Sequence, residues 1–273
     1  MNDAPDFEVV TGVQQQIWSK GDFAMVANLV YFPSEQLVES LQIVPDERVL
    51  DVASGSGNAA IAAARRSWGN VVSSDYVPAL LERGRERAAA ERLEIEFVEA
   101  DAQNLPFEDA SFDVVTSIYG AMFAPDQQKA AAELLRVTKP GGRIGMGNWC
   151  PDGAVGTMFK TISKHAPPPP GVPSPLLWGT EDHVRELFGD GVSELRAERR
   201  VSRQPFRSPE HYIEFFRTYF GPTQTAYERV GPEGEAALTE DLRSFLEEVN
   251  TAGDRAMVLE GDYLEVVATR ASG

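Results

Sequence analysis

A single cysteine, Cys150, stands among 273 residues. One thiol excludes an internal disulfide framework and a thiolate metal cage, so no metal site is expected, and it fits a reducing, cytoplasmic compartment. Histidine is nearly as scarce, with only His165, His183 and His211. Positive charge is also in deficit: 25 Lys and Arg face 42 Asp and Glu, a formal net charge of −17. Such a field repels phosphate backbones unless a local basic patch overrides it. The densest basic stretch, Arg196, Arg199, Arg200, Arg203 and Arg207, is diluted by Glu194 and Glu198. It reads as a solvated strand face, and no nucleic-acid partner is expected. No apolar run reaches the roughly 18 residues of a membrane span. Residues 1–6 carry two acids and no apolar stretch, which does not read as a signal peptide.

What is present is ordinary for a globular α/β chain: 42% hydrophobic and 25% charged residues. Residues 7–44 read as helical, with breaks at Gly21 and Pro33. From residue 48 the pattern alternates. Short buried strands are expected at 49–53, 71–75, 95–98, 112–118 and 143–149, with helices at 59–66, 78–92 and 127–137 between them. Such alternation argues a mostly parallel sheet covered on both faces. After residue 150 the order loosens into a proline-rich connection at 167–170. A helix capped by Thr180, a strand at 192–201, helices over 208–251 broken at Gly221-Pro222 and Gly231-Pro232, and a last strand at 263–269 follow.

The chemistry concentrates in Val49-Leu50-Asp51-Val52-Ala53-Ser54-Gly55-Ser56-Gly57-Asn58. This stretch leaves a strand, turns on small residues and enters a helix, which lets a ligand approach backbone and a helix N-terminus. Residues 55–60 fit G-x-G-x-x-A, and Asp75 ends the second strand twenty residues after Gly55, where a ribose-binding acid belongs. Four further features favour S-adenosylmethionine over a nicotinamide dinucleotide. Asp51 puts an acid on the strand before the glycines, where it can hold a methionine ammonium or bond the turn's own backbone. Asp101-Ala102 follows the third strand and can meet an adenine amino group, or act as an ordinary turn acid. Leu105-Pro106-Phe107 precedes Ser111-Phe112-Asp113-Val114-Val115, and Lys139-Pro140-Gly141-Gly142 precedes the fifth strand.

With these motifs in this order, residues 45–150 resemble the class I methyltransferases, nearest to the small-molecule group related to ubiquinone and menaquinone C-methyltransferases. The resemblance implies a Rossmann-like, seven-stranded, mostly parallel sheet with helices on both faces and an antiparallel last strand. It implies S-adenosylmethionine as cofactor and S-adenosylhomocysteine as product. Asp51, Ala53, Ser54, Gly55 and Gly57 would surround the methionine part, and Asp75, with Tyr76 beside it, the ribose. Asp101, Ala102 and Gln103 would meet the adenine, and Ile118, Tyr119 and Met122 would lie beneath the sulfonium. Ala53 departs from the family, which places its first glycine there. Trp18, in the N-terminal helices that such enzymes close over the cofactor, is a further candidate; core packing is its alternative role.

The expected division is an N-terminal helical cap at 1–44, a cofactor-binding domain at 45–207 with 252–273, and a helical lid at 208–251. Tyr212, Phe215, Phe216 and Tyr219 share one helical face in that lid, which suits a small apolar or aromatic methyl acceptor. No catalytic base stands out; His211 and Tyr119 are the weak candidates. A monomer or homodimer is expected. Two other readings use the same glycine turn: an NAD-dependent oxidoreductase, and a non-catalytic cofactor-binding regulator.

Overall fold

The computed structural model describes residues 5–272, so most of the acidic start read as no signal peptide lies outside the described residues. The N-terminal segment forms three helices, α1 (Phe7–Trp18), α2 (Phe23–Ala27) and α3 (Tyr31–Ser40). Asp6 caps α1 by accepting from the Glu8 and Val9 amides. Pro33 does not break the run as expected. It falls in the first turn of α3, where backbone N–H groups have no intrahelical partner to lose.

The alternating region then follows as β1 (Val49–Val52), α4 (Asn58–Ser67), β2 (Val71–Asp75), α5 (Pro78–Glu91), β3 (Glu96–Glu99), β4 (Phe112–Ile118), α6 (Gln127–Val137) and β5 (Thr138–Trp149). Next come α7 (Ala154–His165), α8 (Glu181–Phe188), β6 (Val192–Phe206), α9 (Pro209–Tyr219), α10 (Gly221–Val249) and β7 (Met257–Arg270). One seven-stranded sheet has the order β3-β2-β1-β4-β5-β7-β6. Strands β1 to β5 pair in parallel, and β7 runs antiparallel to both β5 and β6. Every residue of β1 and β2 is buried, as the continuous apolar and small-residue runs require of strands covered on both faces. Strand order reverses between β1 and β4, and ligands of open α/β sheets sit beyond the carboxyl ends of strands at such a point.

Beyond residue 150 the sequence pattern gave less. Helix α7 was not foreseen, although Val155, Met158, Phe159 and Ile162 lie at helical spacing. Gly153, Gly156 and Thr157 dilute the signal. Thr180 precedes α8 but caps nothing with its side chain; its hydroxyl donates to the Leu177 carbonyl at 2.7 Å. Strands β6 and β7 run well past the expected ends, paired from Val192↔Arg270 to Phe206↔Met257. Ion pairs explain the arginines of β6. Arg199 reaches Asp152 at 2.8 Å and Asp262 at 3.0 Å, and Arg200 reaches the buried Glu265 at 3.0 Å. The break expected at Gly231-Pro232 is a kink inside α10, where Gly231 has φ 62°.

Candidate functional site

The turn after β1 is held from below. Asp51 is buried, with one carboxylate oxygen accepting from the Ala60 amide and the other from the Thr116 hydroxyl, both at 2.9 Å. The carboxylate therefore ties the first turn of α4 to β1 and β4. Gly57 is the N-cap residue of α4 at φ 81°, a backbone conformation that side chains disfavour. Ala53 also has positive φ, 51°, which accounts for a glycine at this position in the resembling enzymes. Ser54 is bonded into the sheet, its amide to the Ser74 carbonyl and its hydroxyl to Ser73. At the end of β2 the two oxygens of Asp75 accept from the amides of Gly55 at 2.8 Å and Val77 at 2.9 Å.

A cavity of about 590 Å³ opens over the carboxyl ends of β1, β2 and β4. Of the sequence candidates, Ala53, Gly55, Asp75 and Tyr76 line one side of it. Asp101, Ala102, Gln103, Tyr119 and Trp18 line the rest. The Gln103 amide is pinned between Asp101 and the Thr11 hydroxyl, and its carbonyl accepts from the Asp126 amide. Helix α1 has no buried residue of its own; its inward side chains Thr11, Gln14 and Trp18 face this cavity.

Five candidates do not line the cavity. Asp51 lies behind the turn, Ser54 is bonded into the sheet and Gly57 caps α4. Ile118 packs on Gly147, and Met122 is fully buried in the core. Strand alternation sends Ile118 to the opposite face from its neighbour, and Tyr119 then turns at φ 54° with its amide held by the Gly147 carbonyl. The sequence reading missed Phe23 and the loop after β4, where Gly120, Ala121 and Phe123 complete the wall. Their signal was the small-residue break directly after a strand end at the reversal of strand order.

A second cavity, of about 520 Å³, adjoins the first. Trp18, Phe23, Tyr119 and Phe123 belong to both, so these rings form the partition. The Tyr119 ring stacks on Trp149 with centroids 4.0 Å apart. Its hydroxyl is buried without a partner, and burial raises its pKa well above 10. The wall of the second cavity includes Tyr212 and Phe216 of α9, which stack at 4.4 Å and are nearly inaccessible. They are therefore both core and cavity wall. Phe215 and Tyr219, expected on the same face, are only partly buried and pack beside it.

None of the histidines lines either cavity. His211, the candidate base, lies against Phe206, and its Nδ1 accepts from the Arg207 amide. His165 pairs with Asp241, and His183 with Gln127, each at 2.8 Å. Cys150 is buried and free.

Burial raises the carboxyl of Asp51 to about 7, against the hydrogen bonds from Thr116 and Ala60 that lower it, and raises that of Asp75 to about 6. An unfolded Asp releases its proton near 3.8. The folded protein thus binds more protons than the unfolded chain between about pH 4 and 7, so these two groups subtract stability as pH rises through that window. Asp51→Asn keeps both bonds, because the Thr116 hydroxyl can accept from the new amide while the amide oxygen still faces Ala60. The variant should therefore melt higher than wild type at pH 7.5, by several degrees. Its melting temperature should also vary less between pH 4 and 7. Parallel pH profiles for the two proteins would contradict the burial argument.

Residues 50–146 match the methyltransferase domain family. An uncharacterized protein of Mycobacterium tuberculosis is 38% identical over 270 residues, covering 98% of this chain and 97% of its own length. A demethylmenaquinone methyltransferase of Deinococcus radiodurans is 41% identical over 124 residues, 44% of this chain and 52% of that protein. Among solved structures, the YcgJ protein from Bacillus subtilis shares the fold with a TM-score of 0.60 at 18% identity, over 89% of this chain and 100% of that one. The family match spans the glycine turn, the Asp75 strand end and the loop after β4 that build the first cavity. The chain belongs to the class I S-adenosylmethionine-dependent methyltransferases, in the group related to the menaquinone C-methyltransferases.

Proposed function

We propose that the protein moves a methyl group from S-adenosylmethionine, held in the first cavity, to a small apolar or aromatic molecule held in the second. The observation that carries this reading is the pair of adjoining cavities sharing Trp18, Phe23, Tyr119 and Phe123. When bound, S-adenosylmethionine supplies an electrophilic sulfonium methyl.

The residues present fit that cofactor. Asp75 has lone pairs free beyond its two backbone bonds and accepts from the ribose hydroxyls. Asp101, steadied by Gln103, faces the adenine side with Ala102. Gly55 and Ala53 let the methionine part lie against backbone. The chain's own part in the reaction is positioning and exclusion of water, and the aromatic partition serves both. The second cavity is walled by aromatic and aliphatic side chains and one glutamine, with no carboxylate, lysine or histidine among them to act as a base. The acceptor atom is accordingly one that is nucleophilic as it enters.

In this reading residues 1–44 cap the cofactor and 208–251 roof the acceptor cavity, on a cofactor-binding domain of 45–207 with 252–273. The test is incubation with methyl-labelled S-adenosylmethionine and two acceptor sets, quinolines and aryl methyl sulfides, which take a methyl without losing a proton, against glycine and histamine. Label should enter the aromatic set alone. Label entering only the charged amines would contradict the proposed acceptor class.

A further inference from the structure

We propose that Gln204 is the polar anchor of the acceptor cavity, its side-chain amide hydrogen-bonding an oxygen on an otherwise apolar aromatic acceptor. The inference rests on the acceptor reading above and narrows it.

Gln204 lies on β6, paired with Leu259 of β7. Its side chain is 4% exposed and lines the second cavity, and no described residue hydrogen-bonds to it. On the same strand face Arg200 pairs with Glu265 at 3.0 Å, and Phe206 packs on the rings of α9. Against that background an amide in an apolar wall costs stability unless something completes its bonds. The other polar atoms of the wall are few. The Tyr212 hydroxyl already contacts the Met158 sulfur at 2.9 Å. That leaves the indole N–H groups of Trp18 and Trp149 and the Tyr119 hydroxyl, which is buried and unpartnered at the partition with the first cavity.

An open amide and a few open donors in a cavity without a charged side chain select a neutral ligand oxygen, a hydroxyl or carbonyl carried on an aromatic frame. A carboxylate or an ammonium would lose its hydration with no counter-charge to replace it. An amide that both donates and accepts suits either a hydroxyl or a carbonyl. A wall built to hydrogen-bond an oxygen also rejects the matching hydrocarbon, because the amide then stays unpaired.

The experiment is equilibrium dialysis of 2-naphthol and of naphthalene against the full chain saturated with S-adenosylhomocysteine. An apolar cavity with no anchor prefers naphthalene, the more hydrophobic of the two. Wild type should instead prefer 2-naphthol, by about tenfold, the ratio expected for one buried hydrogen bond. Gln204→Leu and Gln204→Met, both close to glutamine in size, should reverse the preference toward naphthalene. Affinity for S-adenosylhomocysteine should hold in both variants, and the melting temperature should hold or rise, since the unpaired amide is gone. Retention of the 2-naphthol preference in variants that fold would overturn the proposal, as would failure of 2-naphthol to bind the loaded wild type. Failure of wild type to bind S-adenosylhomocysteine would overturn the underlying reading and this proposal with it.

Discussion

Asp75→Ala should lower the affinity for S-adenosylhomocysteine at least a hundredfold and lower the melting temperature as well. Two hydrogen bonds from ribose hydroxyls to a carboxylate contribute roughly 1.5–3 kcal/mol each, so losing both removes about two orders of magnitude or more. The same carboxylate accepts the Gly55 and Val77 amides, so alanine also orphans two backbone donors and frees the glycine turn. Sequence reasoning alone would make Asp75→Asn mild, since an amide keeps one acceptor. The structure changes that expectation. Both oxygens face backbone N–H groups, so an asparagine must turn its NH₂ toward one of them, donor against donor. Asp75→Asn should therefore lose at least tenfold in affinity, in contrast to Asp51→Asn, whose partner hydroxyl can reverse its role. Calorimetry and melting on the three variants check the order. An Asp75→Ala protein that melts lower yet binds as wild type would reduce Asp75 to a structural brace.

Gly120→Ala should be as damaging, for a steric reason. A Cβ on residue 120 would lie 2.3 Å from the carbonyl oxygen of Ala53 and 2.7 Å from its Cβ. Both obstacles belong to the turn after β1. Neither strand end can give way easily, because Ala53 and Tyr119 already sit at positive φ and Ser117 bridges the Val52 carbonyl to the Ala121 amide. Overpacking of this kind costs about 1–3 kcal/mol. Here the displacement falls on the cavity wall, so cofactor affinity should drop about thirtyfold or more, since small misplacements at a binding site are magnified in function. Adding Ala53→Gly removes the 2.7 Å contact but leaves the carbonyl, so the double variant should recover only part of the loss. Wild-type binding by Gly120→Ala would show that the two loops do not abut.

The strands of the cofactor-binding half were legible because buried parallel strands are short apolar runs between glycine and proline punctuation; β2 and β4 fall at the expected limits. Legibility declined beyond residue 150. The strand expected at 192–201 runs on to Phe206, through Arg203 and Pro205, which read as its end, because β7 pairs with it all the way to Met257. Among the candidates of the glycine turn and the next strand end, Ala53, Gly55 and Asp75 line the first cavity, whereas Asp51, Ser54 and Gly57 lie behind it. Phe23 and Phe123 were not foreseen, because an aromatic residue that walls a cavity has the same sequence signature as one in the core. Gln204 escaped notice for a related reason: an isolated glutamine on a strand looks solvated until its neighbours are known. Asp51 was found, and the structure assigns it to the turn's backbone where the sequence left two roles open.

The central claim is that the first cavity is a built S-adenosylmethionine site, and direct titration of the purified chain with S-adenosylhomocysteine tests it most plainly. The account predicts saturable one-to-one binding, with a thermal shift equivalent to roughly 2.7 kcal/mol at a hundred times the dissociation constant. It also predicts that NAD produces no such shift. Absence of heat and of any shift with S-adenosylhomocysteine at millimolar concentration, or equal stabilisation by NAD, would contradict it.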